Sequence, residues 1–246
     1  MSRWKAAFIH LLISALVVGS VAAVIIWLWY PPALMPMAKA DRLLMLIGGV
    51  DLIAGPLLTL IVYKAGKPKL KMDLTIIALM QFLFLSYGLY TIWNSRPVFL
   101  VAVPDRFELV FANEITDKRL SEAKLKQFRS LSFGKPVLVG TLFPTDINEQ
   151  QQILFSAIAK QGDIQQMPRH YVEYAIVKTG LMKFAKRLDD KTLNKSESSA
   201  LENAAKDYGF AAKDLRYLHL GSSRGYAVML VRADTAEPVG PVNIDP

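Results

Sequence analysis

Three apolar stretches near the start of the chain constrain it more than anything else in the sequence. From Phe8 to Trp29 there is no Asp, Glu, Lys or Arg; residues 43–63 are interrupted by one charge, Asp51; residues 74–93 carry none, Gln81 being the most polar member. At about 1.5 Å of rise per residue, each run is long enough as a helix to cross a hydrocarbon core of about 30 Å. Helices apolar on every face are buried in lipid or in the core of a large protein, and 246 residues do not supply such a core three times over. The reading is a membrane protein with spans at about 8–29, 43–63 and 74–93, together a transmembrane three-helix region over residues 1–94.

A cleaved signal peptide is the rival reading of the first run, since Arg3 and Lys5 give it a charged start and Val21-Ala22-Ala23 has the small residues of a processing site. The run continues through Ile25, Ile26, Trp27, Leu28 and Trp29 to Tyr30, too long for a signal core and ending in aromatics that favour an interface. Pro31 and Pro32 then stop the helix. The connecting segments set the orientation. Lys64, Lys67, Lys69 and Lys71 crowd the second loop, with Arg3 and Lys5 at the N-terminus, whereas the first loop has Lys39 and Arg42 against Asp41. Cytoplasmic loops hold the excess of Lys and Arg, so the N-terminus and second loop face the cytoplasm. After three crossings the rest of the chain lies in the periplasm of a Gram-negative-type inner membrane. The net charge of +8 is thus largely juxtamembrane, and with no basic stripe interleaved with aromatics, nucleic acid is not expected as a partner.

Beyond Asn94 the pattern changes to short apolar runs alternating with polar helical stretches. Val98–Val103 and Glu108–Ala112 read as strands around a turn at Pro104-Asp105, and residues 136–143 as a buried strand. Helices are predicted at 121–131, capped by Ser121, and at 145–160, 171–188 and 196–208. Residues 216–220 and 226–231 form a hairpin across Gly221–Gly225. The sum is a periplasmic mixed α/β domain over residues 95–235, followed by a poorly ordered tail, 236–246, rich in Pro and Gly.

Chemistry-bearing residues are few. The chain has no cysteine, and His10, His170 and His219 stand apart from one another, so neither a metal site nor a cofactor is expected. No nucleophile elbow, phosphate loop, dinucleotide fingerprint or metalloprotease helix is present, and no catalytic residue is assigned. Asp105 and Arg106 at a predicted turn, with Glu108 beyond, read as a solvated ion pair. Asp51 is the informative residue, because a carboxylate in the middle of a span faces protein, water or a partner rather than lipid. Gly48, Asp51, Gly55 and Thr59 recur at steps of three and four and make one small, polar helix face. Gln81, Tyr87 and Gly88 lie at a depth from which Asp51 is in hydrogen-bonding reach. Ala15, Gly19 and Ala23 form a second small-residue row on the first span. Both rows read either as packing within the bundle or as partner-binding faces, with proton or ion chemistry a third use for the row at Asp51; packing is the most economical.

Residues 49–60, Gly-Val-Asp-Leu-Ile-Ala-Gly-Pro-Leu-Leu-Thr-Leu with Pro56 among them, are followed by the lysine loop ending at Asp73 and Leu74, then Gln81, Tyr87-Gly88, Arg96-Pro97-Val98 and Asp105-Arg106-Phe107. In that order and spacing they resemble the TfpX/TfpZ family of type IV pilin accessory proteins, called FimB in some organisms. The match is clear over residues 40–115. The resemblance implies a multi-pass inner-membrane protein that assists pilin on its way into type IV pili. Its partners would be the major type IV pilin, through both transmembrane helix and periplasmic head, other pilus assembly proteins, and membrane lipid. It implies no catalytic residues. A membrane-bound transferase modifying pilin, with Asp51, Asp73 or Asp105 as its acid, is the alternative.

Overall fold

The computed structural model describes residues 1–244. These residues form two compact units, one of residues 1–30 and 39–95, the other of residues 31–38 together with 96–244.

The first unit is three helices, α1 (Arg3–Leu28), α2 (Ala40–Val62) and α3 (Leu70–Asn94), each long and apolar enough to cross a membrane. They begin a few residues before the apolar runs, because polar residues cap or carry their N-terminal ends. The Ser2 hydroxyl accepts the Lys5 amide at the start of α1, and Asp73 sits in the first turn of α3, where its negative charge meets the positive end of the helix dipole. Large apolar side chains cover the outside: Leu16, Trp27, Ile61 and Phe82 are all more than 60% exposed. At one end Trp29 packs edge-on against Trp93, ring centroids 5.0 Å apart, and the Tyr30 hydroxyl donates to the Ile92 carbonyl at 3.2 Å.

The second unit is built on a mixed sheet in the order β4-β3-β1-β2-β6-β7-β8, with β5 (Lys186–Arg187) also pairing β6. Its centre is the hairpin β1 (Pro97–Val103) and β2 (Arg106–Phe111), turned at Pro104-Asp105 as expected. Every residue of β1 is buried, which is why it reads as an unbroken apolar run rather than an alternating one. β3 (Val137–Thr141) joins β1 in parallel, and β6 (Leu215–Ser222) joins β2 in parallel. The other pairs are antiparallel: β3 with β4 (Tyr171–Glu173), β6 with β7 (Gly225–Arg232), and β7 with β8 (Pro238–Val242). One core gathers Phe99, Val101, Phe128, Ile153 and Tyr171; a second gathers Leu201, Leu215, Tyr217, Val228 and Leu230. Besides a single turn at Met35–Ala38, the unit's α-helices among the described residues are α4 (Asp117–Ser121), α5 (Ile147–Ile158), α6 (Tyr174–Leu181) and α7 (Lys195–Asp207).

Several local expectations need correction. The helix predicted at 121–131 is instead the short α4, capped by Thr116, with Ser121 at its end. The chain then leaves α-helical geometry, and a short 3-10 turn at Lys126–Phe128 buries the Phe128 ring near Phe99 and Tyr171. The predicted helix at 171–188 begins with β4, since Tyr171 and Val172 complete the hydrogen bonding of β3, and only 174–181 is α-helical. The β6–β7 loop is tighter than five residues, because Gly221, Ser222 and Gly225 belong to the strands. The tail expected to be poorly ordered contains β8, held by β7 and by the Tyr208 hydroxyl, which donates to the Pro241 carbonyl at 3.1 Å. Pro238 and Pro241 are tolerated there because β8 is the sheet's edge, where a missing N–H removes no ladder bond on the open side. Residues 245 and 246 of that expectation lie outside the described residues.

Candidate functional site

Inside the three-helix unit, the site grows from Pro56. A proline in a helix interior has no N–H, and its ring crowds the carbonyl four residues earlier. Residues Val50–Ala54, just before it, are wound as a π-helix, the wider turn that relieves such crowding at the expense of regular pairing. The Asp51 carbonyl is satisfied instead from another helix: the Gln81 side chain of α3 donates to it at 3.0 Å. A carbonyl only accepts, so the bonding atom of Gln81 is the amide nitrogen, which turns its Oε1 the other way. There it lies 2.6 Å from His10 Nε2 of α1, and His10 Nδ1 lies 2.6 Å from Thr59 Oγ1 of α2. The polarity of the chain follows. An amide oxygen only accepts, so His10 Nε2 carries the proton; in a neutral imidazole Nδ1 then accepts from the Thr59 hydroxyl. One network links all three helices.

The stripe identified in the sequence lies on this inner side. Gly48, Asp51, Gly55 and Thr59 are all buried. A side chain at Gly55 would occupy the space of the Gln81 amide, and one at Gly48 would meet Val18 at 3.3 Å. Gly88 accommodates Ile47, which would stand 2.7 Å from an added Cβ. Close packing within the bundle therefore accounts for the two glycines of this row. Gln81 reaches Asp51, though at its carbonyl and not at its carboxylate, and Tyr87 points outward, 72% exposed, away from it. Ala15, Gly19 and Ala23 face outward too, with nothing within 4 Å of where a Gly19 side chain would start. Asp73 pairs with Lys67 at 2.7 Å.

The remaining motif residues belong to the second unit. Arg96 is buried and donates twice to the Ser132 carbonyl, at 3.2 and 3.0 Å; Pro97 opens β1; Phe107 is fully buried. Arg106 bridges Asp105 at 3.0 Å and Glu108 at 2.6 Å. Burial raises the Glu108 carboxyl above the usual carboxylate range, with the Arg106 hydrogen bond opposing the shift. Gly221, opposite Glu108 across β2 and β6, leaves room for that carboxylate. The structure thus divides the three acids of the transferase alternative between the two units, Asp51 and Asp73 in one and Asp105 in the other. Among the described residues no group of three or more His, Asp or Glu could hold a metal ion.

Two clusters went unread in the sequence. By its spacing from the other histidines His10 stands alone, yet a titratable ring inside an uncharged run of 22 residues is itself a signal of pairing. In the second unit His170, buried beside Arg169 and Glu149, accepts from Arg169 Nε at 3.0 Å and lies 3.5 Å from Glu149. Burial, then the neighbouring Arg169 charge, pulls the His170 pKa below its ordinary value.

These features define a class: three helices long and apolar enough to cross a membrane, laced together by a polar network and joined to a mixed α/β domain. Comparison with known proteins names the family. Residues 1–33 match the family described as fimbrial assembly protein FimB. The chain is 28% identical, over 98% of its own length and 95% of the relative's, to the fimbrial assembly protein of serogroup I of Dichelobacter nodosus, and to the same extent to that of serogroup E1. The fimbrial assembly protein of serogroups C1 and C2 is 33% identical over 122 residues, 48% of this chain and 92% of that relative. The chain belongs to this fimbrial assembly protein family. No solved structure matches it.

Two outcomes follow. Replacing His10 or Gln81 by alanine leaves buried partners unpaired and is expected to destabilise the detergent-solubilised protein by about 1–3 kcal/mol each; the double variant should fall short of the sum, as thermal unfolding of all four proteins would register. For His170 the folded pKa is depressed, so the unfolded chain binds the extra proton first. Its contribution is fully present above about pH 6.5 and is lost as the pH falls below it. Unfolding midpoints between pH 8 and pH 5 should decline less in His170→Gln than in the parent.

Proposed function

We propose that this chain is an inner-membrane accessory protein, a chaperone-like assembly factor that binds type IV pilin and promotes or modulates pilus assembly and surface presentation, with its N-terminus cytoplasmic and its C-terminal domain periplasmic. The observation that carries the reading is similarity along nearly the whole chain to proteins named for fimbrial assembly. The topology is supported by the lysine-rich second loop and by the membership of residues 31–38 in the same compact unit as the C-terminal domain, since after three crossings the first loop and that domain share a side.

Two surfaces suit a protein held in the membrane by an apolar helix with an exported head. The outward row Ala15, Gly19 and Ala23 lets another helix approach α1 closely. On the second unit, α5 buries Ile153 on one side and exposes Ile147, Leu154, Phe155 and Ile158 on the other, each 58% exposed or more. Such a patch on an exported domain is the kind of surface that meets a partner. The transferase alternative has no comparable support, because the relatives are named for fimbrial assembly.

Deletion of the gene tests the reading. Surface pili should be lost or reduced while pilin keeps its unmodified mass, as electron microscopy and intact-mass measurement would register; normal piliation would contradict the role, and a shifted pilin mass would favour the transferase.

A further inference from the structure

The network around His10 leaves one polar atom out. Asp51 is only 4% exposed, and its Oδ1 has no hydrogen-bond partner, although the carbonyl of the same residue is served by Gln81. The residue lines a cavity of about 230 Å³ whose other walls include Ser14 and Val17 of α1 and Ala78 and Phe82 of α3. Ser14 is itself buried, and Val17 and Phe82 are exposed on the outside of the bundle. No lysine or arginine lines the cavity, and both nitrogens of His10 are already engaged. A carboxylate in apolar surroundings with neither donor nor counter-charge is strongly destabilising unless something else supplies one.

Resting on the reading above, we propose that this cavity is a docking pocket for one donor-bearing side chain, ammonium or hydroxyl, carried on the membrane helix of the pilin that the protein assists. Depth argues against a lipid headgroup. Asp51 stands eleven residues into α2, about 16 Å from its start, whereas headgroups stay at the interface. A bound metal ion would need more ligands than this one carboxylate, and among the described residues no acidic or histidine group gathers to provide them. A side chain on a spanning helix reaches that depth without leaving its own apolar environment. The cavity is of a size for one side chain, so the rest of the partner helix would lie along Val17 and Phe82.

The experiment uses the full chain in cells that make pilin. A photo-crosslinking benzoylphenylalanine replaces Phe82 or, as an outward control on α2, Leu57, and adducts are probed with antibody to pilin; Asp51→Leu and Asp51→Asn are made in the Phe82 background, and their thermal midpoints are measured in detergent. The expected result is a pilin adduct several-fold stronger at position 82 than at 57, lost in Asp51→Leu, whose midpoint is unchanged or higher because an unpaired buried carboxylate has gone. Asp51→Asn separates the two donors, keeping the adduct if the donor is a hydroxyl and losing it if it is an ammonium. An adduct at 82 no stronger than at 57, an adduct with lipid alone, an adduct that survives Asp51→Leu, or a midpoint that falls in Asp51→Leu would each overturn the pocket. If piliation still depends on the gene in those cases, the assembly reading stands without it.

Discussion

A main-chain carbonyl in apolar surroundings has to find a donor, and the arrangement of the three-helix unit follows from how this one does. Pro56 takes an N–H out of α2, the helix widens over Val50–Ala54, and the Asp51 carbonyl is turned to Gln81. Gln81 in turn orients its oxygen to His10, and His10 engages Thr59 back on α2. The small residues are consequences of the same constraint. Gly55 must be small because the Gln81 amide lies against it, and Gly48 because Val18 does. Apolar helices alone have little to fix their rotation, since one greasy face packs about as well as another; a directed chain of three hydrogen bonds supplies a register.

That constraint was partly legible in the sequence. The three runs, the position of Asp51 and the face shared with Gly48, Gly55 and Thr59 follow from composition and helical period, and the hairpin of β1 and β2 from its apolar runs and turn. What could not be read was direction. Periodicity says that Asp51 and Gln81 share a depth, but not that Gln81 would bond the carbonyl, because that depends on Pro56 shifting the helix to π geometry. Metal-ligand spacing says nothing of His10, which stands far in sequence from the other histidines; its signal is that of a polar group in an apolar run. In the second unit the failures lie where tertiary pairing overrides local pattern. Tyr171 and Val172 lie in a stretch with helical pattern yet serve β3, and the Pro-rich tail becomes a strand because β7 offers it an edge.

The two units divide the chemistry. The second is a sheet whose buried polar residues, Arg96 and Thr141 among them, bond main-chain carbonyls and serve the fold. The first holds a carboxylate that its own helices leave unanswered. Groups that destabilise a structure and persist are where function is best sought, and family membership gives that search a direction without fixing the residue.

The most direct test of this account is whether Gln81 is needed because of Pro56. Thermal unfolding of the parent, Pro56→Ala, Gln81→Leu and the double variant in detergent would measure it. With alanine at 56, α2 has the missing N–H and can close its regular bonds. Gln81→Leu is then expected to lower the midpoint clearly in the parent and much less in the Pro56→Ala background. Equal losses in both backgrounds would contradict the dependence of the network on the proline.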